Sequence, residues 1–126
     1  MKLRNLFIVN AVVSFVFGIP LVLAPAMLLS LYGVTLSEAG IVVTRLYGAA
    51  LLSHCLLTWL ARDAPDSEAR RAIVPALFIS DFIGFIVGLL GQLAGLANPL
   101  GWSIPVIYVL LALGYGYFLL VKPSAS

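Results

Sequence analysis

Arg45 and Asp81 are the two charged side chains of this 126-residue sequence that stand inside long apolar runs. An ionisable group at such depth is costly unless it pairs, reaches an interface or lines a wet cavity. At helical spacing Asp81 shares a face with Gly84, Gly88 and Gln92, so it points toward packed helix and not toward lipid. Helical side chains lean toward their N-termini, which brings His54, Tyr115 and Asn10 to the level of Asp81, with Ser14 close by. Asp81, His54, Tyr115 and Asn10 therefore form a candidate polar network. It has two readings: Asp81 exchanges a proton and couples it to movement of a small solute, or it is hydrogen-bonded and ties helices together.

Arg45 lies about two turns inside the start of its run, seven residues after Glu38 on the same face. It is expected to snorkel outward toward Glu38 or nearby carbonyls, with contact to an anionic headgroup or substrate as the functional alternative. A direct pair with Asp81 is strained, because the two side chains start at different depths and lean apart. His54, nine residues on, falls on roughly the opposite helix face and is placed to meet a partner. Ala50-Leu51-Leu52-Ser53-His54 looks like the Ala-x-x-x-His of antenna polypeptides, which implies a haem or chlorin ligand as a further alternative. Cys55 is the single cysteine, so neither an intramolecular disulfide nor a Cys-x-x-Cys redox pair can form. His54 and Cys55 are adjacent, not spaced to share a metal, and no glycine-rich phosphate loop or Ser/His/Asp arrangement is present.

The elements that position these residues follow from composition. The chain is 63% hydrophobic and 10% charged, far from the roughly 45–50% and about 25% of soluble domains. A hydrocarbon core of about 30 Å needs about 20 helical residues, and the runs 5–24, 39–61, 72–94 and 101–121 supply them. The fold expected is an all-α integral membrane four-helix bundle, a single domain over residues 1–126 with no room for a soluble module. Lys2 and Arg4 ahead of the first run, with Ala24-Pro25-Ala26 after it, resemble a secretory signal. The run exceeds the 7–15 residues of a signal core and reads as a retained helix. Lys2, Arg4, Arg62, Arg70, Arg71 and Lys122 fall on one side, which predicts cytoplasmic termini in a bacterial inner membrane. A net charge of +2 explained by topology gives no argument for nucleic acid.

Gly84, Gly88, Gly91 and Gly95 recur at helical spacing and, with Gly48, Ala112 and Gly116, offer narrow faces for helix packing within the chain or with a partner. Pro20, Pro25, Pro75 and Pro105 read as span-end punctuation. Thr35-Leu36-Ser37-Glu38 fits a capping box, and Asp66 or Ser67 an N-cap. The apolar stretch from Pro25 to Gly33 is expected along the membrane interface, with Tyr32, Trp59, Trp102 and Tyr117 in the aromatic belts.

Leu23-Ala24-Pro25, Leu31-Tyr32-Gly33-Val34, Arg45-Leu46-Tyr47-Gly48-Ala49-Ala50 and Trp59-Leu60-Ala61-Arg62 resemble small uncharacterised four-span bacterial membrane proteins, loosely DoxX-like. That resemblance implies a four-helix fold without an agreed activity. In size the chain is also similar to small multidrug-resistance exporters, but their carboxylate lies in the first span, where this sequence offers only Asn10. Three classes of function stay open. The first is a noncatalytic subunit or homo-oligomer with a membrane-protein partner. The second is a proton-coupled carrier of a small amphipathic solute using Asp81, and the third a pigment- or haem-associated accessory subunit using His54. An enzyme is not expected, for want of a nucleophile, metal cluster or redox pair.

Overall fold

The computed structural model describes residues 2–121 and contains five α-helices and one 3₁₀ turn. They are α1 (Leu3–Leu23), α2 (Pro25–Leu31), α3 (Glu38–Ala61), α4 (Glu68–Leu93), the 3₁₀ turn Pro99–Trp102 and α5 (Ser103–Leu120). Lys122, assigned above to the flank of the fourth span, lies outside the described residues. Helices α1, α3 and α4, and α5 with its preceding turn, are each long and apolar enough to cross a membrane. The protein is all-α with four candidate spans.

Their boundaries are set by local chemistry. Ser37 caps α3 by accepting from the Gly40 amide at 3.0 Å, and Ser67 caps α4 by accepting from the Arg70 amide at 3.2 Å. The cap of α3 is thus Ser37 and not the Thr35 of the expected capping box, because Glu38 is already the first helical residue. Gly33 and Gly95 both take φ +76°. Each closes a Schellman turn: Gly33 N donates to Ser30 O and Val34 N to Leu29 O, while Gly95 N donates to Gln92 O and Leu96 N to Gly91 O. Pro25 starts α2 at a position where no intrahelical N–H is needed. Pro20 and Pro75, in contrast, lie inside α1 and α4 and so do not mark the ends of those spans.

The four spans pack as two close pairs, α1 on α3 and α4 on α5, joined mainly by α1 against α5. Small residues allow the pairing: a Cβ on Gly48 would stand 2.8 Å from Leu21 Cβ, and one on Gly18 2.9 Å from a Leu52 methyl. Between the pairs, the end near the α3–α4 loop is filled by Leu3, Leu6 and Phe7 of α1, Val74 and Leu77 of α4, and Leu111, Tyr115 and Phe118 of α5. Toward the opposite end the same inward stripes change character. On α4, Val74 and Leu77 give way to Asp81, Gly84 and Gly88; on α1, Leu3 and Phe7 give way to Asn10 and Ser14. Those residues put little volume inside, so one half of the bundle is packed and the other is hollow.

Both ends are tied. At the loop end Arg4 Nε lies 2.5 Å from Asp63 Oδ1 and Arg62 Nε 3.4 Å from Asp63 Oδ2. Arg70, 3% exposed, donates to the carbonyls of Ala61 and Arg62, each at 3.2 Å, and so satisfies the last turn of α3. At the far end Asn98 is a clasp: its Nδ2 donates to Leu31 O at 2.9 Å and its backbone N–H to Tyr32 O at 2.8 Å.

Candidate functional site

The hollow half encloses a cavity of about 440 Å³ whose wall is drawn from α1, α3, α4 and α5, with α2 across the far end. On α3 the wall residues Thr44, Tyr47, Leu51 and His54 recur every three or four positions and so share one face. Most of the wall is apolar, with Phe17, Leu21, Leu51, Val87 and Ile107 among its members.

Asp81 forms part of this wall at 3% exposure, and its Oδ2 is buried without a hydrogen-bond partner among the described residues. It sits thirteen residues into α4, about 20 Å from the start of the helix and therefore near mid-span. The hydroxyls of Tyr47, Tyr108 and Tyr115 are all within its electrostatic range. An unpartnered buried carboxyl is expensive, and this one faces a space that a ligand could fill.

The sequence-level network forms in part. Asn10 Nδ2 donates to Tyr115 OH at 2.7 Å, and Ser14 Oγ donates to Asn10 Oδ1 at 3.0 Å. This chain of bonds seals the boundary between the packed half and the cavity. No hydrogen bond brings Asp81 or His54 into it. His54 is half-buried in the cavity wall, on the side of α3 that faces the chain's own interior. Ala50, one turn earlier, is exposed and outside the wall, so the small residue of the Ala-x-x-x-His pattern does not line the cavity with His54. Arg45 is exposed on α3, also outside the wall, and among the described residues it pairs with neither Glu38 nor Asp81. Among the described residues no cluster of three or more His, Cys, Asp or Glu side chains could hold a metal ion.

The small residues divide by role. Gly48, Gly88, Gly116 and Ala112 serve helix contacts inside the chain: a Cβ at Gly88 would meet Ile104 and one at Gly116 Phe78, and Ala112 is buried. Gly84 accommodates a ring instead, since its Cβ would stand 2.5 Å from Tyr108 Cε1. Gly91 and Gly95 pack no other span within the chain. Gly91 has nothing nearer than Leu96, and Gly95 is the left-handed residue that ends α4.

Three contributors were missed by sequence reasoning. Tyr108 lays its ring over Gly84, and its hydroxyl hydrogen-bonds that of Tyr47. The two residues are 61 positions apart, and tyrosines in apolar spans read as interfacial anchors. Tyr32, expected in the aromatic belt, is buried instead at 7% exposure, where it lines the cavity's far end and pairs with Ser103 Oγ at 3.2 Å. Gly84 in a strongly apolar helix was the one signal that a bulky neighbour lies close. No curated protein and no solved structure matches this chain. A family model described as Domain of unknown function (DUF8292) covers residues 6–122, nearly the whole of the four-span architecture, and the chain belongs to that family.

Proposed function

We propose that this protein is a membrane carrier for a small, mostly apolar solute, held in the cavity between the two helix pairs and exchanged against a proton on Asp81. One observation carries the reading: Asp81 Oδ2 is buried and unpartnered in the wall of a 440 Å³ cavity. A carboxyl that only tied helices together would spend both oxygens on neighbouring donors. Asn10, Ser14 and Tyr115 satisfy one another and leave it alone. Groups that face it from the packed elements are Tyr47 and His54 of α3, Tyr108 and Tyr115 of α5, and the neutral Asn10 and Ser14 of α1. The chain acts by binding in this reading and not by bond chemistry.

The lysine and arginine distribution supports cytoplasmic termini and a cytoplasmic α3–α4 loop, an orientation in which the cavity would lie in the outer half of the bilayer. A bacterial inner membrane and the DoxX-like resemblance belong to the same proposal. In sealed vesicles containing the purified chain, an imposed proton gradient is expected to drive solute uptake that Asp81→Glu retains and Asp81→Asn abolishes. Gradient-driven uptake that survives in Asp81→Asn sinks the carrier reading.

A second reading, a noncatalytic subunit or homo-oligomer, draws on α3, which buries only Gly48, Thr58 and Ala61. It loses the support of the glycine faces, because Gly48, Gly84, Gly88 and Gly116 are used within the chain. Stoichiometric recovery of a larger membrane partner in mild detergent would favour it.

A further inference from the structure

We infer that the cavity's ligand is a lipophilic organic cation, an amine or onium nitrogen on an apolar body, and that it enters sideways from the bilayer between α3 and α4. This rests on the carrier reading and names its substrate class.

The sign of the charge follows from the wall. Among the described residues Asp81 is its only acidic or basic side chain apart from His54, and no lysine or arginine lines it. Arg45 stands outside, while Arg62, Arg70 and Arg71 are held at the loop end by Trp59 O, Ala61 O and Ser67 O respectively. An anionic solute would meet a carboxyl with no opposing cation, and like charges at low dielectric repel strongly. A cation meets the opposite situation, since Asp81 Oδ2 has no donor among the described residues and a cationic nitrogen would be its counterion. Phe17, Tyr47 and Tyr108 add ring faces to the same cavity, and such faces attract ammonium and onium groups. The remaining wall is hydrocarbon, suited to an apolar body, and 440 Å³ falls within the roughly 300–1,000 Å³ of small-molecule sites.

The route follows from where the wall is thin. Asn98 and α2 close the far end, and the Phe7, Tyr115 and Phe118 core closes the loop end. Helices α3 and α4 make no substantial contact. The wall residues on that side are also well exposed, Tyr47 at 44% and Val87 at 64%. Tyr47 is nine residues past Glu38, about 14 Å along the helix, so this mouth opens at the depth of acyl chains and not at a water face. The Tyr47–Tyr108 hydroxyl contact spans it. A solute that arrives this way must first partition into the membrane, which an apolar body ensures.

The test uses the full chain in nanodiscs of zwitterionic lipid, with empty nanodiscs to subtract partitioning. Equilibrium dialysis compares phenylbutyltrimethylammonium, its neutral carbon isostere and phenylpentanoate. The expected result is saturable binding of the cation, about tenfold or more tighter than the isostere, with no saturable binding of the anion. Asp81→Glu should keep that preference and Asp81→Asn should erase it; if Asp81→Asn does not fold, the cation-to-isostere ratio of the unmodified protein decides alone. Equal binding of cation and isostere, or preference for the anion, overturns the cation assignment while proton-driven uptake of a neutral solute would still uphold the carrier. Absence of saturable binding by all three probes, together with absence of proton-driven uptake, overturns both.

Discussion

The hydroxyl of Tyr108 on α5 meets that of Tyr47 on α3 across the side of the cavity, although the two helices hardly touch elsewhere. The contact depends on Gly84, because a Cβ there would stand 2.5 Å from Tyr108 Cε1, closer than packed atoms allow. Gly84→Ala should therefore displace the ring, break the hydroxyl pair and cost about 1–3 kcal/mol of stability through overpacking. Tyr108→Phe keeps the ring and loses one exposed hydrogen bond, for which about 1 kcal/mol or less is expected. Thermal unfolding in mild detergent ranks the two, and a larger loss for Tyr108→Phe would contradict this account of Gly84.

The bond from Asn10 to Tyr115 joins α1 to α5 where the packed half of the bundle ends. A double-mutant cycle with Asn10→Ala and Tyr115→Phe should return a coupling of about 0.6–2 kcal/mol, the range for buried polar contacts between membrane helices. Zero coupling would mean that the pair does not bridge the two helix pairs in the bilayer.

Arg70 caps α3 from outside by donating to Ala61 O and Arg62 O, and it lies 5.5 Å from the Phe7 ring. Arg70→Met keeps most of the packing but leaves those carbonyls unpaired, at a cost of about 1–3 kcal/mol. Hydrogen exchange should accelerate in the last turn of α3 and remain unchanged at its first turn.

The Arg4 guanidinium hydrogen-bonds Asp63 and holds its carboxyl below the usual carboxylate range. A carboxyl whose folded value is lowered stabilises the fold above its unfolded value, near 3.9 for a free aspartate, and loses that contribution as pH falls through the folded value. The tie between α1 and the α3–α4 loop should thus hold at neutral pH and release in acid. NMR titration of the Asp63 side chain should move back toward the ordinary aspartate value in Arg4→Gln; an unchanged midpoint would show that Arg4 does not hold it.

The four spans were legible because length and hydropathy alone define them: three of their eight ends depart from the expected positions by two residues or more, with α1 and α4 starting earlier and α5 later, after the 3₁₀ turn Pro99–Trp102. Ser67, not hydropathy, starts α4 at Glu68, which carries the charged turn Glu68–Arg71 into the helix. The level shared by Asn10, Tyr115 and Asp81 was also legible, since helix direction and side-chain lean determine it. Which of them bond was not, because a difference of one helical face decides whether Asp81 meets Asn10 or a void. The cavity itself had no linear signature. It arises where Asp81, Gly84 and Gly88 on α4 face Asn10 and Ser14 on α1, a subtraction of volume that becomes visible only once the helices are paired. The Gly95 turn, by contrast, could have been read from a glycine just past the last periodic residue of a helix.

The central claim is that Asp81 is free of internal partners and reachable from the bilayer. Labelling with a lipid-soluble carbodiimide, read by intact mass and peptide mapping in membranes, tests it most directly. One adduct is expected, on Asp81, that is lost in Asp81→Asn and suppressed when phenylbutyltrimethylammonium occupies the cavity. An unlabelled Asp81 would contradict that claim, while labelling that the cation leaves unchanged would count against the cation assignment alone.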